Sequence, residues 1–302
     1  MAVRVVINAA SGTARRYGAA ALHTLIQNTA AEHGLHDLTV QVVPPDALPE
    51  TLRQATQEAG EIWVGGGDGT LRSAAELLHA NQHDQVLGVL PLGTMNLLAR
   101  DLNIPLQIEQ AVAALSQGSC TAIDLGRINN RLFLNKSALG LYPEMVVDRE
   151  RRRRLFGLSK WGAMLRAAWR AMRRHRLLHI SIDYHGQRRE ILSPAIVVAV
   201  GAYEFRPGQL FGRPDLQSGE LSLYISHERS ALGSAGQLAK LFLGSLERDD
   251  ELEVIKAEHL RIDFERAKPV ASDGEIDMLR GPIDFHVLPR ALKVRQPATG
   301  SL

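Results

Sequence analysis

One cysteine, Cys120, is all that 302 residues carry, so no disulfide can close within the chain and a reducing compartment is the natural setting. Long apolar runs are missing as well. The longest stretch, around Ala195 to Ala202, falls far short of the roughly 20 residues that a membrane-spanning helix needs. No basic leader followed by an apolar core opens the chain. Its first residues alternate like a strand, and a cytoplasmic protein is expected. The eleven histidines show no metal-ligand spacing, and no cysteine cluster accompanies them. Neither internal repeats nor low-complexity linkers appear. What remains is ordinary globular material, 45% hydrophobic and long enough for two compact domains.

Net charge is also scarce, at +2, but its distribution is uneven. Residues 149–176 hold eleven Lys or Arg against the single acid Glu150, a local +10 that leaves −8 for the rest. At 100° per residue, Leu158, Trp161, Leu165, Ala168, Trp169 and Met172 share one helical face, with Arg166, Arg170, Arg173 and Arg174 opposite. This pattern suits a helix lying on an anionic membrane, and residues 151–176 are the expected contact. A helix packed on its own domain with solvated arginines satisfies the same pattern. Nucleic acid is not expected, because no other basic surface or aromatic platform accompanies the segment.

The positive features begin with Gly65-Gly66-Gly67-Asp68-Gly69-Thr70, which follows the strand-like Glu61-Ile62-Trp63-Val64. Leu71, Ala74, Ala75, Leu77 and Leu78 then recur at helical spacing. Glycines at a strand-to-helix junction let backbone N–H groups approach an anion at the positive end of the helix. Asp68 would repel a bare phosphate, so a metal-nucleotide complex or an ordered water is the better partner. A tight turn capped by Asp68 or Thr70 would read the same way. Two further strand ends carry similar residues: Asn8-Ala9-Ala10-Ser11-Gly12 after Val3–Ile7, and Pro91-Leu92-Gly93-Thr94-Met95-Asn96 after Val86–Leu90. Three such ends would converge at the C-terminal edge of a parallel sheet, where α/β folds bind ligands.

In that order, together with Ala99-Arg100 and the late Asp273-Gly274-Glu275, these motifs resemble the diacylglycerol-kinase-type lipid kinases. The similarity is to the bacterial branch, related to sphingosine and ceramide kinases, and it runs from residue 3 to about 297. The Gly-Gly-Asp-Gly-Thr element is shared with NAD kinases and 6-phosphofructokinases. The Pro-Leu-Gly-Thr-x-Asn element is the more discriminating.

The expected fold class is therefore α/β with two domains. Residues 1–125 alternate strand and helix as a doubly wound nucleotide-binding domain, completed by about 291–302 through the returning segment Ala291–Val294. Residues 126–290 read as a β-sandwich from strands at Arg131–Asn135, His179–Tyr184, Ile191–Val200, Glu220–Ser226, His259–Phe264 and Ile283–Val287. The basic helix near 155–176 and a second helical stretch, Leu232–Leu246, interrupt them. The resemblance implies an active site in the cleft between the domains.

It also implies ATP and Mg²⁺ as cofactors and a lipid as acceptor. Asn8, Ser11, Gly12, Gly66, Gly67, Gly69, Thr70, Gly93, Thr94 and Asn96 would frame the nucleotide, with Arg15 and Arg16 adding charge. Asp68 would be catalytic as well, acting through the nucleotide's Mg²⁺ or a water. Asp273 and Glu275 would be the catalytic carboxylates, Asp273 as the base and Glu275 as its partner, although the sequence does not decide which of the two accepts the proton. On its own Asp-Gly-Glu is a hairpin turn. Asp124 would orient the site or cap an element.

Three departures from the family pattern stand out. An Asp-Gly pair whose carboxylate helps hold a structural Mg²⁺ is replaced by Ser218-Gly219, with Asp215 the nearest substitute ligand. No Asn follows Gly201, and no nucleotide-contacting Thr is evident within Val42–Leu52. The expected acceptor is diacylglycerol, a sphingoid base, ceramide or monoacylglycerol, at a peripheral membrane location, with a homodimer an open expectation. Two rivals remain: an NAD-kinase-like enzyme of a soluble substrate, and a nucleotide-binding, membrane-docking protein without turnover.

Overall fold

Val3, Val5, Val6 and Ile7 are all buried, which makes the first strand two-sided, as a strand in the middle of a parallel sheet must be. A computed structural model describes residues 2–57, 60–81, 85–141, 143, 177–204, 212–227, 233 and 252–298. By its internal contacts the chain divides into two units, residues 1–125 with 289–302, and residues 126–288. The basic segment 149–176 and the stretch Leu232–Leu246 lie outside the described residues, apart from residue 233.

The first unit alternates β1 (Val3–Asn8), α1 (Gly12–Tyr17), α2 (Ala19–Glu32), β2 (Leu38–Val43), α3 (Leu48–Ala55), β3 (Glu61–Gly66), α4 (Asp68–Asn81) and β4 (Val86–Pro91). Then come α5 (Leu97–Asp101), α6 (Ile108–Ser116) and β5 (Ser119–Ile128), in which the chain leaves the unit. The parallel order is β2-β1-β3-β4. Every residue of β3 and β4 is buried. Helices bury single stripes: Leu22, Ile26 and Ala30 in α2, and Leu71, Ala74, Ala75 and Leu78 in α4. Helix α2 packs on α6 and α3 on α4, the two helical layers of a doubly wound sheet.

Beyond β5 follow β6 (Arg131–Phe133), β7 (Lys136–Gly140), β8 (Leu178–Tyr184), β9 (Gln187–Ser193), β10 (Ala195–Val200) and β11 (Leu221–Ser226). The last strands are β12 (Leu252–Ala257), β13 (His259–Asp263), β14 (Lys268–Ser272), β15 (Glu275–Leu279) and β16 (Ile283–Gln296). Strand β16 carries the chain back: Lys293 and Val294 pair in parallel with Val86 and Leu87 of β4. Within the first unit Arg295 locks this return. Its guanidinium forms a bidentate pair with the buried Glu61 and donates to the carbonyl of Gly118 (2.8 Å), while Trp63 Nε1 also donates to Glu61 (2.6 Å).

The second unit is a β-sandwich. One antiparallel sheet runs β12-β11-β10-β7-β14-β15, and the other pairs β13 with the first residues of β16 and with β8, which pairs β9. Ile180, Ile182, Ile196, Val198, Leu221, Leu223, Leu260, Ile262 and Phe285 fill the core, and Phe133 meets Phe285 edge-on at 6.2 Å. Two strand readings need correction. The stretch Ile191–Val200 is not one strand: the chain breaks at Pro194, which has no N–H for a ladder, and β9 and β10 enter different sheets. Arg131–Asn135 likewise stops at Phe133, because the peptides after it turn to a side chain instead of a strand.

Candidate functional site

In the first unit β1 and β3 are neighbours, and the chain leaves β1 toward β2 on one side and β3 toward β4 on the other, which opens a crevice at their C-terminal ends. The polar turns gather there. Asn8 Nδ2 donates to Thr70 Oγ1 at 3.2 Å, tying the end of β1 to the first turn of α4, while its Oδ1 accepts the N–H of Ala10 (2.9 Å). Gly67 and Gly93 bring the loops after β3 and β4 into backbone contact: a Cβ on Gly93 would lie 2.5 Å from Gly67 Cα. Ser11 Oγ is buried and has no hydrogen-bond partner among the described residues. The start of α4 adds the positive end of a 14-residue helix dipole. Gly12, Arg15, Arg16 and Thr94 are exposed.

Two of the expected nucleotide residues also hold local structure. Asn96 sits in left-handed backbone (φ 51°) and turns its amide into its own loop, accepting from Gly93 N–H (2.8 Å) and donating to Gly93 O (3.1 Å). Its amide thereby shapes the loop. Asp68 accepts the N–H of Leu97 at 2.9 Å, with that of Leu98 also directed at it, and so caps α5. Burial pushes its pKa up, those N–H groups pull it down, and the Asp101 carboxylate raises it further. Asp68 would reach a nucleotide-borne Mg²⁺ through water, and the glycine cradle and the unpaired Ser11 hydroxyl would fit a polyphosphate directly. Asp124, 2% exposed, accepts the N–H of Arg290 (2.8 Å) and so braces the returning strand.

The second unit centres on Asp273. Asp273 and Gly274 both have positive φ (47° and 89°), the two-residue turn that joins β14 to β15. The Asp273 side chain points away from that turn, at the link between β6 and β7. Oδ2 accepts the N–H of Leu134 (2.6 Å), and Oδ1 accepts those of Asn135 (3.0 Å) and Lys136 (3.1 Å). Burial raises its pKa, against which the three N–H groups and the Arg213 charge act. Each carboxylate oxygen offers two lone pairs, so one on Oδ2 remains for a further donor. Glu275 is exposed at the start of β15.

Around this carboxylate are groups that the sequence did not flag. Arg213, 2% exposed, donates to the carbonyls of Leu134 (2.8 Å) and Val200 (2.9 Å). Tyr203 donates its hydroxyl to Asn135 Oδ1, and Lys136 Nζ lies 5.5 Å from the Tyr203 ring centre. A lone arginine between Gly212 and Pro214 has no sequence signature; only folding brings it to residues eighty positions earlier. Asp215, the substitute ligand for a structural Mg²⁺, instead accepts the N–H of Gln217 (2.7 Å) in a local turn. No group of three or more His, Cys, Asp or Glu able to hold a metal occurs among the described residues.

Comparison with known proteins agrees with the two units. Residues 2–128 match the diacylglycerol kinase catalytic domain, and residues 147–296 match the YegS C-terminal NAD kinase beta sandwich-like domain. A Pseudomonas aeruginosa protein named "Probable lipid kinase YegS-like" is 41% identical over 114 residues, 37% of either chain. The Diacylglycerol kinase of Staphylococcus saprophyticus is 31% identical over 103 residues, 34% of either chain. These two alignments thus span little more than a third of the relatives' length. A Yersinia pestis protein named like the first is 28% identical over 258 residues, 83% of this chain and 84% of its own. A crystal structure of a diacylglycerol kinase from Bacillus anthracis shares the fold, with a TM-score of 0.74, 22% identity, and coverage of 100% of this chain and 98% of that one.

Proposed function

This chain belongs to the diacylglycerol-kinase-type lipid kinases, and on that premise we propose that it transfers the γ-phosphoryl group of ATP to a lipid hydroxyl. Diacylglycerol or a related lipid (a sphingoid base, ceramide or monoacylglycerol) is the acceptor. The observation that carries this reading is the convergence of three strand ends at the β1–β3 crevice, with its close glycine backbones and unpaired Ser11 hydroxyl.

The residues divide the work by unit. The α4 N-terminus and the loops at Gly66–Thr70 and Gly93–Thr94 receive the phosphates, with Asn8 and Thr70 keeping the crevice in shape. Mg²⁺ carried by the nucleotide would neutralise phosphate charge during transfer. In the second unit Asp273 accepts the proton of the lipid hydroxyl through its remaining Oδ2 lone pair. The hydroxyl oxygen then bonds to the γ-phosphorus as the bond to the β–γ bridging oxygen breaks and ADP leaves. A carboxylate whose pKa burial has raised is a better proton acceptor than an ordinary aspartate. Residues 151–176 bring the protein to an anionic membrane surface, where such lipids lie.

The test is transfer of labelled γ-phosphate from Mg-ATP into a lipid extract, with NAD in a parallel aqueous assay. A labelled lipid supports the proposal, and its chromatographic mobility identifies the acceptor. Label in NADP alone overturns it in favour of a soluble-substrate kinase. Changing Arg166, Arg170, Arg173 and Arg174 to Gln should release the protein from anionic vesicles in a sedimentation assay without weakening ATP binding.

A further inference from the structure

Residues Leu134, Asn135 and Lys136 have every backbone polar group engaged. Their three N–H groups point at the Asp273 carboxylate. Of their carbonyls, that of Asn135 accepts from Val200 N–H (3.1 Å), that of Lys136 from Asp273 N–H (3.0 Å), and that of Leu134 from Arg213. Peptide planes are rigid, so the direction of each N–H is set by what holds the carbonyls beside it. The Asn135 N–H shares its plane with the Leu134 carbonyl. Arg213 therefore grips the same peptide that Asp273 accepts from, on the opposite edge.

Arg213 is placed to do this. Its guanidinium is buried, and its donors bridge Leu134 O and Val200 O, fastening the β6–β7 link to the end of β10. A buried arginine is costly unless its charge is answered, and the charge that it acts on is Asp273. The other titratable groups on the described elements around this link are Lys136, Tyr203, Tyr224, Lys268, Glu275 and Asp277. Tyr224 accepts the N–H of Tyr203 (2.8 Å), Lys136 lies over the Tyr203 ring, and Asp277 pairs with Arg131.

We propose that Arg213 is the positioning residue for Asp273: it aligns the Leu134–Asn135 peptide that presents N–H groups to the carboxylate and supplies the buried positive charge facing it. The inference rests on reading Asp273 as the base. It makes the protonation of Asp273 depend on a residue whose bonds to this link go to carbonyls rather than to the carboxylate.

The experiment uses the full chain with Arg213→Gln, which keeps donors for the carbonyls but loses the charge, and Arg213→Lys, which keeps the charge but loses the rigid guanidinium plane that holds Nη1 on both carbonyls. Carboxyl-carbon NMR follows the Asp273 titration, the resonance being identified by its loss in Asp273→Asn, alongside the pH profile of kcat/KM for lipid phosphorylation. Arg213→Gln should raise the Asp273 midpoint by about one pH unit and carry the acidic limb of kcat/KM with it. Arg213→Lys should move both part of the way. Should Arg213→Gln not fold, the partial shift in Arg213→Lys carries the test. A folded variant with reduced activity but an unmoved midpoint and limb overturns the inference, because a merely structural arginine lowers activity alike at every pH. If Asp273→Asn keeps full turnover, the base reading falls and Arg213's role falls with it. If Asp273→Asn is inactive while the midpoint stays put in the Arg213 variants, only the role of Arg213 is lost.

Discussion

Asp68 in the first unit and Asp273 in the second meet the same physical problem with different parts. Each is a shielded carboxylate whose pKa burial raises, and each is held by backbone N–H groups. For Asp68 the donors are the free N–H groups that any helix start provides, at α5, and the nearby charge is the unfavourable Asp101. For Asp273 they come from an irregular link between strands, and the nearby charge is the favourable Arg213. Asp68 therefore resembles a cap that can do without its charge. Asp273 resembles a carboxylate kept ready in a site built for it.

The sharpest way to break this contrast is Asp273→Asn, which should lower turnover by about a thousandfold, within the range typical of a lost general base. ATP binding, measured by calorimetry, should remain. Unchanged turnover would remove Asp273 as the base and leave Glu275 as the carboxylate to test.

Next in size is Gly93→Ala, which attacks the first unit's site through its backbone. The new Cβ would sit 2.5 Å from Gly67 Cα, so the two loops must separate. Nucleotide affinity should fall by at least tenfold, with a loss of about 1–3 kcal/mol in stability from overpacking. Full affinity in this variant would show that the nucleotide does not use this cradle.

Arg295→Met is the control for a direct ion pair away from either carboxylate. It leaves the buried Glu61 without its guanidinium partner and should destabilise the first unit by about 3 kcal/mol, read by denaturant unfolding. Activity of the folded fraction should be unaltered. A specific loss of turnover would mean that the return of β16 does more than complete the sheet.

The smallest effect is expected from Asp68→Asn, which can still accept the Leu97 N–H and should cost within about 1 kcal/mol at neutral pH. Its pH dependence carries the information. The folded pKa of Asp68 lies above the ordinary 3.8, so the wild type binds more protons folded than unfolded in that window. Its relative stability is thus fully present below pH 3.8 and declines as pH rises through the folded value. The variant, which does not titrate, should gain on the wild type over the same interval. Melting temperatures with a pH-independent difference would contradict the raised value.

Much of the first unit was legible because its signals are local. Val3–Ile7, Glu61–Val64 and Val86–Leu90 are apolar on both faces, and each ends in small polar residues that only a turn accommodates; the strands formed within a residue or two of those limits. The sandwich was legible as a class but not strand by strand. Lys136–Gly140 and Leu252–Ala257 were not read as strands, since short stretches of mixed residues take their state from their neighbours in the sheet. At the site, the Asp-Gly turn was plain in the sequence, whereas the link that receives its carboxylate lies more than 130 positions away.

By itself the sequence determined the kind of elements, the glycine turns at three strand ends and the inventory of carboxylates, because periodicity and turn chemistry act over a few residues. Only the tertiary structure decided what those side chains do. It turned Asn96 and Asp215 into local braces, made Asp68 the cap of a helix that begins 29 residues later, and placed Arg213 on the peptide beside Asp273. The reason is the range of the interactions. Hydrogen bonds and buried charges are satisfied by whatever groups the fold brings within about 3 Å, and sequence spacing carries no record of that meeting.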